Sequence, residues 1–256
     1  AVNKVQAIAL NTFKEAVRDR ILYAILAFAI AMIASTLALA TIGAGMGPKI
    51  VRDVGLGFIS IFGVLIAIFI GIGLVHKEID RRTIYTIISK PIHRWQFLLG
   101  KYLGLVLTLF VNVAVMTGAL MVLIFSFEGV WDGRLGAASA MIFLELMVIT
   151  GIAILFSSFS TPALSAIFTL SFFAIGRLLE DVMLFGELYA GPLGRTVIRG
   201  LYYVLPNLGR FNITSEVVHG LPLREVVSGM TVLYGLLYTL ALLSLTALIF
   251  QRRDFR

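Results

Sequence analysis

An all-α polytopic membrane protein with six transmembrane helices and an N-terminal amphipathic interfacial helix is the fold that this 256-residue sequence predicts. Three observations carry the prediction. Hydrophobic residues make up 59% of the chain, charged residues only 14%, and the mean hydropathy is +0.99, far too apolar for an ordinary soluble domain. Six apolar runs, near 21–43, 55–75, 98–126, 136–159, 162–184 and 228–250, each approach the 20 or so residues that cross a ~30 Å hydrocarbon layer as a helix. The basic residues gather on alternate connections.

The segment before the first run, residues 1–20, repeats Val2, Val5, Ala9, Phe13 and Val17 at spacings of three or four, with Lys4, Asn11, Lys14, Glu15 and Arg18 mostly elsewhere on the wheel. This predicts a helix with its apolar face in the acyl boundary and its charges in water. The first run starts near Ile21 and is too long for the core of a cleavable signal, so it is expected to be a span. Gly43 to Asp53 is expected to be a short loop, and its glycine-rich stretch lacks the spacing and the Ser or Thr after Lys49 that a phosphate loop requires.

After the second run come His76-Lys77-Glu78-Ile79-Asp80-Arg81-Arg82, then an apolar-sided stretch with Ile84, Ile87 and Ile88, then Pro91. The proline predicts a short helix before it and a turn into span three. Such a 76–97 element suits a surface that transmits movement to a cytosolic subunit, but a charged loop that merely sets topology has the same pattern. Phe127 to Arg134 is expected to be a second short loop. The 185–227 connection is long enough for local structure: Asn212 to Glu216 predicts a helix entry, Gly220 its stop, and Pro222 the start of another short helix. This connection is expected to cap the bundle, with a substrate or extracytoplasmic partner surface as the other reading.

Orientation follows from counting. The N-terminus, the 76–97 connection with Lys101, the 160–161 turn and the C-terminus carry 13 Lys and Arg against Glu15, Asp19, Glu78, Asp80 and Asp254, whereas basic and acidic residues nearly balance on the other side. That excess places both termini in the cytoplasm of a multi-pass protein of an inner or plasma membrane. The formal charge of +7 thus reflects topology, and without a continuous basic stripe no nucleic-acid partner is expected.

Two charges fall inside the spans. Glu145 and Arg177 each lie roughly 10–12 Å inward from the same end on consecutive antiparallel helices, which predicts a structural pair or a polar lining of a path. Glu180 and Asp181 follow closely and extend the prediction to a network at the outer mouth, with Asp181 one helical turn from Arg177. Catalytic and metal chemistry find little support. There is no Cys and no Gly-x-Ser-x-Gly elbow, the eight Met are dispersed, and His76, His93 and His219 fall on opposite sides of the predicted topology.

Certain strings at fixed places among the six runs carry a resemblance. They are Asn11-Thr12-Phe13-Lys14-Glu15-Ala16-Val17-Arg18-Asp19-Arg20, Lys77-Glu78-Ile79-Asp80-Arg81-Arg82-Thr83-Ile84-Tyr85 and Ser89-Lys90-Pro91-Ile92-His93-Arg94. Gly100-Lys101-Tyr102-Leu103-Gly104, Phe156-Ser157-Ser158-Phe159-Ser160 and Arg252-Arg253-Asp254-Phe255 continue the series. Over nearly its whole length the chain resembles the permease subunits of ABC transporters of the six-span ABC-2 type. The resemblance implies a single permease domain over 1–256, paired with a second copy or a homologous permease and bound to two cytosolic ATP-binding subunits. It implies that 1–20 is an elbow-like helix and that 76–90 is the principal coupling helix, with Glu78, Asp80, Arg81, Arg82, Ile84, Tyr85 and Ile88 against the ATPase. It also implies a second contact at Ser158 to Pro162. No cofactor is expected in this chain, since ATP and Mg would belong to the partner, and the chain is expected to be non-catalytic. Export of an unspecified substrate is the function implied, and a non-transporting scaffold that recruits a cytosolic complex is the alternative.

Overall fold

The computed structural model describes residues 2–42, 46–80, 93–189, 191–223 and 229–252. Among them there is no strand, and six helices are long and apolar enough to cross a membrane. In chain order the helices are α1 (Val2–Val17), α2 (Arg20–Ile42), α3 (Gly47–Asp80), α4 (Arg94–Glu128), α5 (Gly133–Ser157), α6 (Pro162–Tyr189), α7 (Pro192–Val204), α8 (Thr214–His219) and α9 (Gly229–Arg252). A 3-10 turn at Leu208–Phe211 precedes α8. The spans are α2 to α6 and α9, so the two termini share one end of the bundle.

The bundle is layered by burial. The spanning parts of α3 and α5 are 72% and 67% buried, whereas those of α2, α6 and α9 are each 22% buried, so α3 and α5 form the centre and the other three the periphery. Close approach at the centre is set by two glycines of α3. A Cβ on Gly55 would fall 2.4 Å from Leu120 Cδ1 of α4, and one on Gly63 would fall 2.5 Å from Leu146 Cδ1 of α5. With no hydrophobic driving force between helices in lipid, such small-residue hollows are where van der Waals packing holds spans together.

α3 is longer at both ends than the apolar run 55–75. It begins at Gly47, taking in most of the stretch expected to be a loop, because Pro48 suits a first turn whose N–H groups need no helical partner. At the other end it continues unbroken to Asp80, since no glycine or proline interrupts 74–80. α4 stops where Gly129 adopts a left-handed conformation (φ 68°) and donates its N–H to Phe125 O at 2.8 Å. Asp132 then caps α5 by accepting from Arg134 N at 3.0 Å.

α1 ends one turn before α2 begins, and Asp19 Oδ1 accepts from Ile21 N at 3.0 Å to start the span. Its buried residues are Val5, Thr12 and Ala16. The reason is a notch on α4, where a Cβ at Gly100 would come within 2.7 Å of Ile8 Cβ and one at Gly104 within 2.5 Å of Thr12 Cβ. The row expected to face acyl chains is therefore turned partly towards protein.

The 185–227 connection folds back onto the bundle. Leu208, Phe211, Ile213 and Val217 are buried, with Leu208 filling a hollow at Gly176 of α6 and Phe211 one at Gly235 of α9. The expected entry near Asn212 and stop at Gly220 match α8, whose Gly220 has φ 71°. Leu221 and Pro222 are not helical, and residues 224–228 lie outside the described residues.

Candidate functional site

The most polar feature of the membrane-spanning region joins α3, α5 and α6. Arg177 Nε donates to Glu145 Oε1 at 2.9 Å and Arg177 Nη2 to Glu145 Oε2 at 2.9 Å, a two-pronged contact in which each carboxylate oxygen has its own donor. Ser60 closes the triangle: Arg177 Nη2 donates to its Oγ at 2.8 Å, and Ser60 Oγ donates to Glu145 Oε2 at 3.3 Å. Glu145 is fully buried, while the guanidinium keeps 25% exposure and stacks with its Cζ 5.2 Å from the Phe173 ring centroid. An isolated carboxylate at this depth is strongly disfavoured, and the guanidinium with the hydroxyl compensates it. Ser60 carried no signal in the sequence beyond a hydroxyl in an apolar run.

Glu180 and Asp181 do not extend this triangle. Glu180 Oε1 accepts from Asn207 Nδ2 at 2.8 Å, and Asn207 also donates its backbone N–H to Tyr234 Oη at 2.9 Å. Glu180 therefore ties α6 to the folded-back connection and, through Tyr234, to α9. Asp181 is exposed and forms no ion pair with Arg177 among the described residues, because the guanidinium is directed across the bundle towards α5 and α3. A second ionic cluster, unread from sequence, lies at the end of the bundle away from the termini. Arg52 of α3 binds Glu128 with Nη1 at 3.0 Å and also through Nη2, and its Nε lies 3.1 Å from Asp132 Oδ2. It clips α3 to the α4–α5 hairpin.

At the termini end, Glu78 and Asp80 lie on the last turns of the α3 backbone, while Arg81, Arg82, Ile84, Tyr85 and Ile88 lie outside the described residues. Where the chain resumes, His93 and Gln96 form a capping box that starts α4, with His93 N donating to Gln96 Oε1 at 3.3 Å. Further along α4, buried Lys101 sits 3.7 Å from Glu15 of α1. Residues 81–92, outside the described residues, thus follow α3 in the chain and precede the helix that meets α1. The neighbouring α5–α6 turn is tight: Ser160 N donates to Phe156 O at 2.9 Å, and the Ser160 and Ser165 hydroxyls are 2.8 Å apart.

A family model described as ABC-2 family transporter protein matches residues 6–255. The chain belongs to the ABC-2 transporter family. No curated protein sequence matches it. The ABC-2 membership agrees with the resemblance read from the motifs and with the six spanning helices, and it makes the chain a membrane transport component, the permease part of an ABC transporter.

Proposed function

We propose that this chain is the permease subunit of an ATP-driven exporter, moved by a separate ATPase that grips the 76–97 segment on the cytoplasmic side. The observation that carries the reading is the ABC-2 family match over residues 6–255. It is supported by α3, which runs as one helix from Gly47 to Asp80 and so joins the buried centre of the bundle to the start of the coupling segment. A displacement applied near Glu78, Asp80, Arg81 and Arg82 passes along a rigid rod to Ser60 and the Glu145–Arg177 pair. Ile84, Tyr85 and Ile88 seat the segment in a groove of the ATPase, and Ser158 to Pro162 forms a lesser contact. Two ATPase subunits, which hold ATP and Mg, and a second permease copy or homologue complete the assembly. Both termini face the cytoplasm.

The test is reconstitution with the cognate ATPase. Reversing Arg81 and Arg82 to Glu is expected to abolish permease-stimulated ATP hydrolysis while the two permease copies still co-purify. Assembly with the ATPase that shows neither stimulated hydrolysis nor substrate movement in the unaltered protein would instead make the chain a scaffold.

A further inference from the structure

α7 carries a face that the described residues leave bare. Leu193, Val197, Leu201 and Val204 recur at i, i+4, i+8 and i+11, forming one aliphatic row, and all four are exposed, Leu193 at 81% and Val204 at 72%. Arg195 and Arg199 lie on the opposite side of the same helix, also exposed. The helix has 13 residues, about 20 Å at 1.5 Å each, too short to cross a ~30 Å layer.

Its position is set by α6. Ile198 Cδ1 fills the hollow at Gly186, where a Cβ would meet it at 2.5 Å, and Arg199 Nη2 lies 3.2 Å from Glu187 Oε1. α7 is thereby held against the last turns of a spanning helix. The last turns of α6 beside it are themselves apolar and exposed at Leu178, Val182 and Phe185.

We propose that α7 lies in the headgroup boundary of the leaflet opposite the termini, with its aliphatic row in the acyl chains and Arg195 and Arg199 at lipid phosphates. Burying apolar surface at about 25 cal/mol per Å² favours that placement, and guanidinium groups match phosphate oxygens in charge and fork geometry. Tyr189 and Tyr203, both exposed, stand at the two ends of the helix, where amphipathic rings settle at membrane interfaces. The proposal holds whichever side of the membrane the termini occupy and does not depend on transport.

The chain has no cysteine, so single substitutions give unique labelling sites. Val197→Cys, Leu201→Cys and Thr196→Cys, each carrying a nitroxide, are placed in the full chain in nanodiscs of phosphatidylcholine and phosphatidylglycerol. Collision with oxygen, which concentrates in acyl chains, is compared with collision with a water-soluble nickel chelate. Positions 197 and 201 are expected to favour oxygen over nickel several-fold more than position 196 does. Nickel access at 197 and 201 equal to that at 196 would place the row in water. Exclusion of both reagents there would mean that protein covers it. Either result overturns the proposal.

Discussion

Glu145 and Arg177 satisfy each other so completely that removing one leaves the other stranded. Glu145→Gln keeps the shape but withdraws the charge, and loss of one partner of a buried pair costs about 3–5 kcal/mol. A matching fall in the thermal midpoint of the purified protein is expected, and the double change Glu145→Met with Arg177→Met is expected to restore most of it. An unchanged midpoint together with lost transport would show that Glu145 serves a path instead. Arg52→Gln is expected to lower the midpoint much less, by about 1 kcal/mol of stability, because Glu128 and Asp132 remain near water. Depth in the apolar runs was enough to read Glu145 and Arg177 together, whereas Ser60 and Asn207 were illegible. A single hydroxyl or amide gains meaning only from what stands across from it, and Asn207 lies 27 residues from Glu180.

At the level of the helix, α1 and α4 behave as one unit because Gly100 and Gly104 let them touch. Gly104→Leu would drive a side chain into Thr12 Cβ and Ala9 O, where a Cβ alone already stands 2.5 and 2.6 Å away. It is expected to lift α1, measured as faster limited proteolysis near Arg18. Gly118→Ala, on the same helix with nothing within 4 Å, is expected to leave proteolysis unchanged. The apolar runs placed the other five spans within a few residues, yet they missed both ends of α3. The glycines at 43–47 read as a loop although Pro48 starts a helix, and the charges after Val75 read as a helix end although nothing there breaks one. Amphipathicity identified α1 but could not distinguish lipid from the glycine notch as the occupant of its apolar face, since both are apolar.

For the whole molecule, the basic excess at one end predicts sidedness. Asn11→Cys is expected to react with a membrane-impermeant maleimide only after cells are permeabilised, and Ser215→Cys in intact cells; the reverse pattern would invert the orientation. Class and span number were legible because six runs of about 20 apolar residues have few alternatives in a chain this oily. That the last long connection caps the bundle was expected; which residues seat it was not legible, because Leu208 and Phe211 find their hollows on two different spans. The Arg52 clip has a mechanical corollary. With α3, α4 and α5 latched at the end remote from the termini, a push that α3 receives at the opposite end is expected to carry those three rods as one block rather than to slide one past another.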